Sequence, residues 1–80
     1  MIPPRINRVE ASDEFCLKIF YINGEEKIYD MKKFLNYNIY KKLNNIEYFK
    51  MVKSAKTTVE WPEGEDVDTN ELYENSILIK

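Results

Sequence analysis

The sequence predicts an α+β fold, in which a small, mostly antiparallel sheet built on an N-terminal hairpin carries two or three short helices packed on one face. Three observations predict this fold. Segments rich in β-branched and aromatic residues flank Asn23-Gly24, helical spacing of apolar residues begins after Lys32, and apolar residues alternate with polar ones ahead of Pro62. Strands therefore come first, then short helices, then a strand and a helix.

The N-terminal part of the chain is predicted to form three strands. Pro3-Pro4 excludes a helix at the start, and residues 6–11 are predicted to enter the fold as a first strand. Residues 15–22 and 25–31 are the two segments around Asn23-Gly24, which supplies the left-handed backbone of a tight turn. We therefore predict a β-hairpin here.

The register of this hairpin depends on the length of its loop. A two-residue loop would place Ile19 opposite Ile28, whereas a three-residue loop with a glycine bulge would place Leu17 opposite Tyr29. The second register gathers five apolar side chains on one face of the sheet: Leu17, Ile19, Tyr21, Tyr29 and Met31. We favour the second register because it produces the more uniformly apolar face.

The middle of the chain is predicted to contain two short helices, because its apolar residues are three or four positions apart: Ile39, Leu43, Ile46, Phe49 and Val52. Asn38 can cap a turn over residues 39–43, and Asn45 can cap the second helix. The charges of the second helix suit its dipole, acidic in the first turn and basic in the last: Glu47, Lys50 and Lys53.

The last third of the chain is predicted to form a strand, a helix and an edge strand. Three alternate positions share the buried face of the first strand: Thr57, Val59 and Trp61. Pro62 ends that strand. Asp68-Thr69-Asn70-Glu71 resembles a capping box and predicts the start of a helix that carries Leu72-Tyr73 and ends near Asn75. Residues 77–79 are predicted to form the edge strand.

The composition limits the classes of function. Eighty residues predict one domain over residues 1–80, too small for a large enclosed pocket. The formal net charge of −2 has the wrong sign for holding phosphates, so we expect no direct binding of nucleic acid. We interpret the basic residues of the middle as the exterior of helices rather than an RNA surface. One cysteine, no signal core and no apolar run of membrane-spanning length predict a cytoplasmic protein.

The residue types offer little catalytic chemistry. The chain contains no His, which removes the commonest general base and the Ser–His and Cys–His nucleophile systems. Cys16 lies inside a predicted strand with no basic residue beside it to activate the thiol. Gly24 belongs to the hairpin and Gly64 to an acidic turn, so neither belongs to a phosphate-binding loop. We expect no enzyme, no catalytic residue and no cofactor.

Acidic residues are concentrated near the end of the chain. Seven of the 14 acidic residues lie between residues 60 and 74, a stretch without Lys or Arg. Asp66, Asp68 and Asn70 are spaced like the first three ligands of a calcium loop, but Glu71 replaces the sharp-turn Gly and Ile77 the bidentate Glu. A cation or small-ligand site at residues 63–71 therefore stands as an alternative to an ordinary solvated surface.

The corner Trp61-Pro62-Glu63-Gly64 is either a recognition patch or a signature of the fold, and we favour the second. Trp61 would close the core, Pro62 and Gly64 would fix the turn, and Asp66 would accept backbone hydrogens or cap the next helix. With Asn23 and Gly24 these are the fold-signature residues. Any interaction surface is then expected among the residues that follow the turn: Glu65, Asp66, Asp68, Glu71 and Tyr73.

Several short motifs and single residues are distributed along the chain: Pro4-Arg5-Ile6, Asn23-Gly24-Glu25, Tyr29-Asp30, Ile39-Tyr40, Leu43, Phe49, Val52, Thr58-Val59-Glu60-Trp61-Pro62, Gly64, Asp66 and Leu72-Tyr73. In these the chain resembles a small bacterial family, the domain-of-unknown-function family 2442, over nearly its whole length. Glu63 stands where that family commonly carries Asn, so a polar contact of that Asn is not implied here. The resemblance implies a compact α+β domain, sometimes fused to a helix-turn-helix that we expect to be absent here, with no established activity.

The sequence therefore predicts a non-enzymatic cytoplasmic protein-interaction or regulatory domain. The family resemblance adds an antitoxin-like role, because family genes often lie beside other small genes. The expected partner is a protein, and an acidic surface could steer a basic one. Two alternatives remain: a homodimer that buries residues 77–79 or the Tyr-rich face, and a cation or small-ligand site at the acidic turn.

Overall fold

Two antiparallel sheets form the framework of the computed structural model, which describes residues 2–80. The larger sheet has four strands in the order β1-β2-β3-β6: β1 (Ile6–Ala11), β2 (Cys16–Tyr21), β3 (Glu26–Asp30) and β6 (Ile77–Leu78). The smaller sheet pairs β4 (Lys53–Ala55) with β5 (Thr58–Glu60). The α+β fold with a mostly antiparallel sheet is confirmed.

The hairpin has the register of the three-residue loop. Leu17 lies opposite Tyr29, as favoured from the apolar pattern. The amide of Tyr21 donates to the carbonyl of Glu25 at 2.9 Å, and the amide of Gly24 donates back to Tyr21 at 3.0 Å. Gly24 has φ +94°, which a side chain with a Cβ adopts only with strain. The Asn23-Gly24 turn therefore sets which residues of β2 and β3 face the core.

The first strand also occupies the predicted residues. β1 pairs with β2 and shifts register between Ile6 and Arg8, so its beginning bends away from a regular ladder. The amide of Ile6 donates to the carbonyl of Lys56 at 2.7 Å, which joins the larger sheet to the loop of the smaller one.

Four short helical segments connect the strands. Two are 3₁₀ helices, Lys32–Phe34 and Asn38–Asn44, and two are α-helices, α1 (Ile46–Phe49) and α2 (Thr69–Asn75). The prediction that Asn38 caps the first of the middle helices is wrong, because Tyr37 is the cap and makes no side-chain capping bond. Ile39 is 67% exposed, although Leu43 is buried. With three residues per turn, positions four apart lie on different faces of a 3₁₀ helix.

The second middle helix is shorter than predicted. The side chain of Asn45 accepts from the amide of Glu47 at 3.0 Å, which confirms the cap, but α1 ends at Phe49. Lys50 is its C-terminal cap and Lys53 is the first residue of β4, so the last turn has no basic residue. Lys53, which was assigned to the helix, instead begins a second hairpin that turns at Lys56 with φ +61°.

One cluster of buried side chains joins the helices to a single face of the larger sheet. Trp61 is 1% exposed, and its indole Nε1 donates to the carbonyl of Phe49 at 2.8 Å. Gly64 has φ +104° and donates to the carbonyl of Trp61 at 3.0 Å. Trp61 is thus part of the core, as the fold-signature interpretation predicted, whereas Pro62, Glu63 and Gly64 are exposed. The other fully buried large side chains are Phe49, Leu17, Ile19, Met31, Leu43, Leu72 and Val59.

The helix near the C-terminus begins at the predicted cap. A side-chain oxygen of Asp68 accepts from the amides of Asn70 at 3.2 Å and Glu71 at 3.1 Å. The capping role considered for Asp66 is therefore wrong, because Asp68 fills it. β6 follows α2 and lies at the edge of the sheet, where an edge strand was predicted. Within residues 2–80, no helix is long and apolar enough to cross a membrane.

Candidate functional site

A groove rich in tyrosine lies between the end of β3, the 3₁₀ helices and the start of α2. We call it the tyrosine groove. Its volume is about 220 Å³, and nine residues line it: Tyr29, Met31, Phe34, Tyr37, Ile39, Tyr40, Val67, Asp68 and Glu71. The three residues that are themselves buried, Tyr29, Met31 and Val67, form its floor. The 3₁₀ helices and α2 are brought together only by the folding of the whole chain.

Aromatic rings build one wall of the groove in a continuous series. Tyr29 stacks on Phe34 with ring centroids 5.9 Å apart and planes 10° apart. Phe34 in turn meets Tyr37 edge-on at 5.8 Å. Such pairs favour one arrangement of the rings beyond the area that they bury. Tyr37 itself is 57% exposed, so the outer end of the series faces solvent.

Tyr40 stands on the other side of the groove and is held by its hydroxyl. That hydroxyl donates to the backbone carbonyl of Asp66 at 2.8 Å. Burial raises the pKa of Tyr40, and the negative charges of Asp66 and Glu71 raise it further. The ring therefore stays a neutral hydrogen-bond donor at neutral pH, fixed in place by the acidic segment.

Two carboxylates give the groove its charge. Glu71 accepts from the hydroxyl of Tyr29 at 2.9 Å and from the side-chain amide of Asn75 at 2.8 Å. Burial, followed by this bond to Glu71, raises the pKa of Tyr29. Asp68 is the second carboxylate, and in the described part of the chain neither it nor Glu71 forms an ion pair with Lys or Arg. The groove is apolar and aromatic inside and negative at its edge.

A second, shallower hollow lies beside the groove. It is lined by six residues: Ile39, Tyr40, Glu63, Gly64, Glu65 and Asp66. Ile39 and Tyr40 line both depressions, so they form a ridge between them. The ridge is strongly apolar at its top, because Ile39 is 67% exposed.

The structure divides the five predicted interaction residues among three places. Asp68 and Glu71 line the groove, whereas Glu65 and Asp66 line the neighbouring hollow. Tyr73 lies elsewhere: it packs edge-on against Tyr21 with centroids 5.1 Å apart. Its hydroxyl donates to Glu25 at 2.5 Å, so it belongs to the N-terminal hairpin rather than to the acidic surface.

Sequence reasoning missed the aromatic and aliphatic half of this site. Ile39 was placed on the apolar face of a helix, and neither Tyr37 nor Tyr40 was among the predicted interaction residues. The signal that could have found them is the change from an α-helical to a 3₁₀ period, which turns position 39 outward. That change is hard to see in seven residues.

The calcium-loop spacing of Asp66, Asp68 and Asn70 is not realised as a cation site. Asp68 already accepts two backbone amides of α2, and Asn70 lies inside that helix. Among residues 2–80, no group of three or more His, Cys, Asp or Glu side chains could hold a metal ion. What the groove and hollow offer is rings, aliphatic side chains and carboxylates. These groups suit the binding of an apolar or cationic group.

Comparison with protein-family models gives one match. The family described as "Protein of unknown function (DUF2442)" matches residues 6–77. The chain belongs to this family. No curated protein and no solved structure matches it. In this DUF2442 domain Trp61 and Leu72 are buried in the core and Gly64 makes a turn, so these three motif residues have structural roles.

Glu63 makes its contacts at the surface of the protein. The side chain of Glu63 is exposed and forms an ion pair with Lys42. The backbone amide of Glu63 donates to the hydroxyl of Tyr48 at 2.9 Å. Since exposed ion pairs contribute at most about 1 kcal/mol, Glu63 adds little to the stability of the corner.

Proposed function

We propose that this DUF2442 chain is a non-enzymatic protein-interaction domain that docks a basic segment of a partner protein in the tyrosine groove. The observation that carries the proposal is an aromatic groove whose carboxylates have no Lys or Arg partner within the described residues. Aromatic anchors dominate the energetics of protein interfaces, and uncompensated acidic residues attract a basic partner.

The exposed apolar residues support the same surface. Tyr37 is 57% and Ile39 is 67% exposed, and they lie at the groove with solvent in front of them. Such residues become buried when a partner covers them, which is the main favourable term in association. The acidic hollow beyond the ridge, with Glu65 and Asp66, extends the surface and raises the rate at which a basic partner arrives.

In the fuller form of this proposal the domain is regulatory. The partner is the small protein encoded beside it, as in an antitoxin-like pair, and both act in the cytoplasm. The support for this form is the family resemblance and the acidic, tyrosine-rich surface.

The test is co-purification with the product of the neighbouring gene. Ile39→Lys places a cation on the ridge and removes an apolar contact without touching the core, so it should abolish the complex. Met51→Lys is the matched control, because Met51 is 57% exposed and does not line the groove or the hollow. The absence of a wild-type complex at micromolar concentration would contradict the proposal, and so would equal binding by the two variants.

A second candidate function is self-association at β6, and the exposure of three consecutive aliphatic residues favours it. Ile77 is 70%, Leu78 56% and Ile79 50% exposed. The amide of Ile79 donates to the carbonyl of Glu26 at 2.8 Å, so the alternation of an antiparallel ladder points the amide and carbonyl of Leu78 away from β3. An unpaired, uncharged edge of this kind is able to pair with a second copy.

Crosslinking tests the second candidate. In a Cys16→Ser background, Leu78→Cys should form a disulfide dimer on mild oxidation, because residues paired across a two-fold axis have Cα atoms about 5.5 Å apart. Met51→Cys in the same background is the control and should stay monomeric. A monomeric mass by light scattering for the wild-type chain, together with equal crosslinking of the two cysteine variants, would remove this candidate.

A further inference from the structure

The tyrosine groove should bind a smaller range of ligand groups than a purely apolar site would. Tyr37 and Tyr40 present rings that are not fully buried, and Glu71 and Asp68 lie on the same cavity. Ring faces and carboxylates both attract a cation, and neither attracts an anion. A purely apolar side chain would desolvate the carboxylates without supplying a positive charge, which is unfavourable.

The same fold already uses this chemistry for its own cations. The guanidinium of Arg8 lies 3.8 Å from the centroid of Phe20, and Nζ of Lys27 lies 3.8 Å from the centroid of Tyr73. At the groove, Nζ of Lys33 lies 5.3 Å from the centroid of Phe34. In the part of the chain that the structure describes, Tyr37 and Tyr40 have no such cation.

The shape of the groove favours a side chain on a polypeptide over a free small molecule. A volume of about 220 Å³ accommodates one long side chain but not a folded segment. The exposed Ile39 on the ridge and Tyr37 at the outer wall lie where apolar neighbours of that side chain would pass. A chain crossing the ridge would then enter the second hollow, which is lined by Glu65 and Asp66.

We propose that the tyrosine groove is an arginine-recognition site, in which a guanidinium group of the partner stacks on Tyr40 or Tyr37 and donates to the carboxylate of Glu71. This inference rests on the proposed function, since it names the group that the docked segment presents. Arginine fits better than lysine because its planar guanidinium stacks on rings and donates to carboxylates in a fixed fork, whereas a lysine ammonium is a more strongly hydrated point charge.

The experiment is an NMR titration of the ¹⁵N-labelled protein with three capped peptides of the sequence Gly-Leu-X-Leu-Gly, in which X is arginine, citrulline or lysine. Citrulline keeps the shape of arginine and removes its charge. The arginine peptide should shift the amides of Tyr37, Ile39 and Tyr40, with the lysine peptide weaker. The citrulline peptide should bind about tenfold more weakly, the effect of one charge-assisted contact.

Two variants locate the contact. Glu71→Gln keeps an acceptor for the hydroxyl of Tyr29 and removes the charge, so it should weaken the arginine peptide by about tenfold. Glu74→Gln is the matched control on the same helix, because Glu74 does not line the groove, and it should leave binding unchanged. The spectra of both variants without peptide show whether they remain folded.

The outcomes separate this inference from the proposed function. Equal binding of the arginine and citrulline peptides, or of the arginine and lysine peptides, overturns the guanidinium assignment while the groove remains a docking surface. The absence of any shift with the arginine peptide at millimolar concentration also overturns it, even if the neighbouring gene product co-purifies. Failure of that co-purification, with arginine-specific shifts present, leaves the recognition site and removes the proposed partner.

Discussion

Two turns of this protein have the same local structure. In one, the amide of Tyr21 donates to Glu25 and Gly24 donates to Tyr21; in the other, the amide of Trp61 donates to Glu65 and Gly64 donates to Trp61. The two glycines have φ values of +94° and +104°. An aromatic residue followed three positions later by Gly and then by Glu thus produces the same three-residue loop twice.

The glutamates that end the two loops also make matching contacts. Glu25 accepts from the hydroxyl of Tyr73 at 2.5 Å, and Glu65 accepts from the hydroxyl of Tyr48 at 2.6 Å. The bond from Tyr73 and a second one from Asn23 lower the pKa of Glu25. In each case a tyrosine from a distant helical segment is anchored to the loop, so the turn also helps to orient a helix.

The two turns differ in the polar atom of the buried aromatic residue. The indole Nε1 of Trp61 donates to Phe49 at 2.8 Å, whereas the buried hydroxyl of Tyr21 has no hydrogen-bond partner among residues 2–80. A buried polar atom without a partner costs free energy. The same local turn therefore occurs once with a buried aromatic residue whose polar atom is hydrogen-bonded and once with a buried aromatic residue whose polar atom has no partner.

The largest difference between the two turns should follow removal of the aromatic side chains. Trp61→Ala should lower the free energy of unfolding by about 3 to 5 kcal/mol, because it leaves a cavity and removes the hydrogen bond from the indole to the carbonyl of Phe49. Tyr21→Ala should cost less, because it also removes the unpaired hydroxyl. Urea unfolding of both variants measures the difference, and a Trp61→Ala protein that melts normally would contradict the place of Trp61 in the core.

Substitution of the two glycines should show the turns to be equivalent. A Cβ at Gly24 or Gly64 meets no atom within 4 Å, so only the backbone opposes it. Gly24→Ala and Gly64→Ala should each cost about 1 to 2 kcal/mol, the penalty of a left-handed residue. The corresponding Asn variants should cost less. Thermal unfolding checks the match, and a large difference between the two alanine variants would show that the local likeness is only geometric.

The hydroxyl of Tyr21 provides a smaller and opposite effect. Tyr21→Phe should raise the free energy of unfolding by about 1 kcal/mol, because it removes a buried group that has no partner. Tyr29→Phe is the control and should lower it by about 1 kcal/mol, since the bond of Tyr29 to Glu71 is lost. Opposite signs in chemical unfolding would support the assignment, and a loss of stability in Tyr21→Phe would show that its hydroxyl is satisfied in solution.

Alkaline pH should lower the free energy of unfolding through the ionisation of Tyr21, with no effect at neutral pH. Burial raises the pKa of the phenol of Tyr21 above its ordinary value of about 10, and the charges of Tyr73 and Glu25 add to this. The free energy of unfolding therefore does not depend on ionisation of Tyr21 below about pH 10, and it falls as the pH rises further, because the unfolded chain gives up the proton more readily than the folded one. Tyr21→Phe should show a shallower loss of stability between pH 10 and 11 than the wild-type chain.

The sequence by itself determined the parts of this protein that depend on neighbouring residues. The Asn23-Gly24 turn determined the hairpin, and the apolar face favoured the register that the structure has. Asp68 determined where α2 begins, because its side chain reaches amides two and three residues ahead. These interactions span only a few residues, so a single sequence contains them in full.

Only the tertiary structure decided the second hairpin and the tyrosine groove. β4 has three residues and turns at Lys56 rather than at Gly, so no local pattern distinguishes it from the end of a helix. The groove depends on Tyr29 meeting Glu71 and on Tyr40 meeting Asp66, pairs that are 42 and 26 residues apart. The physical reason is that such contacts form only when strands and helices pack around the core, and that packing also left Ile39 at the surface.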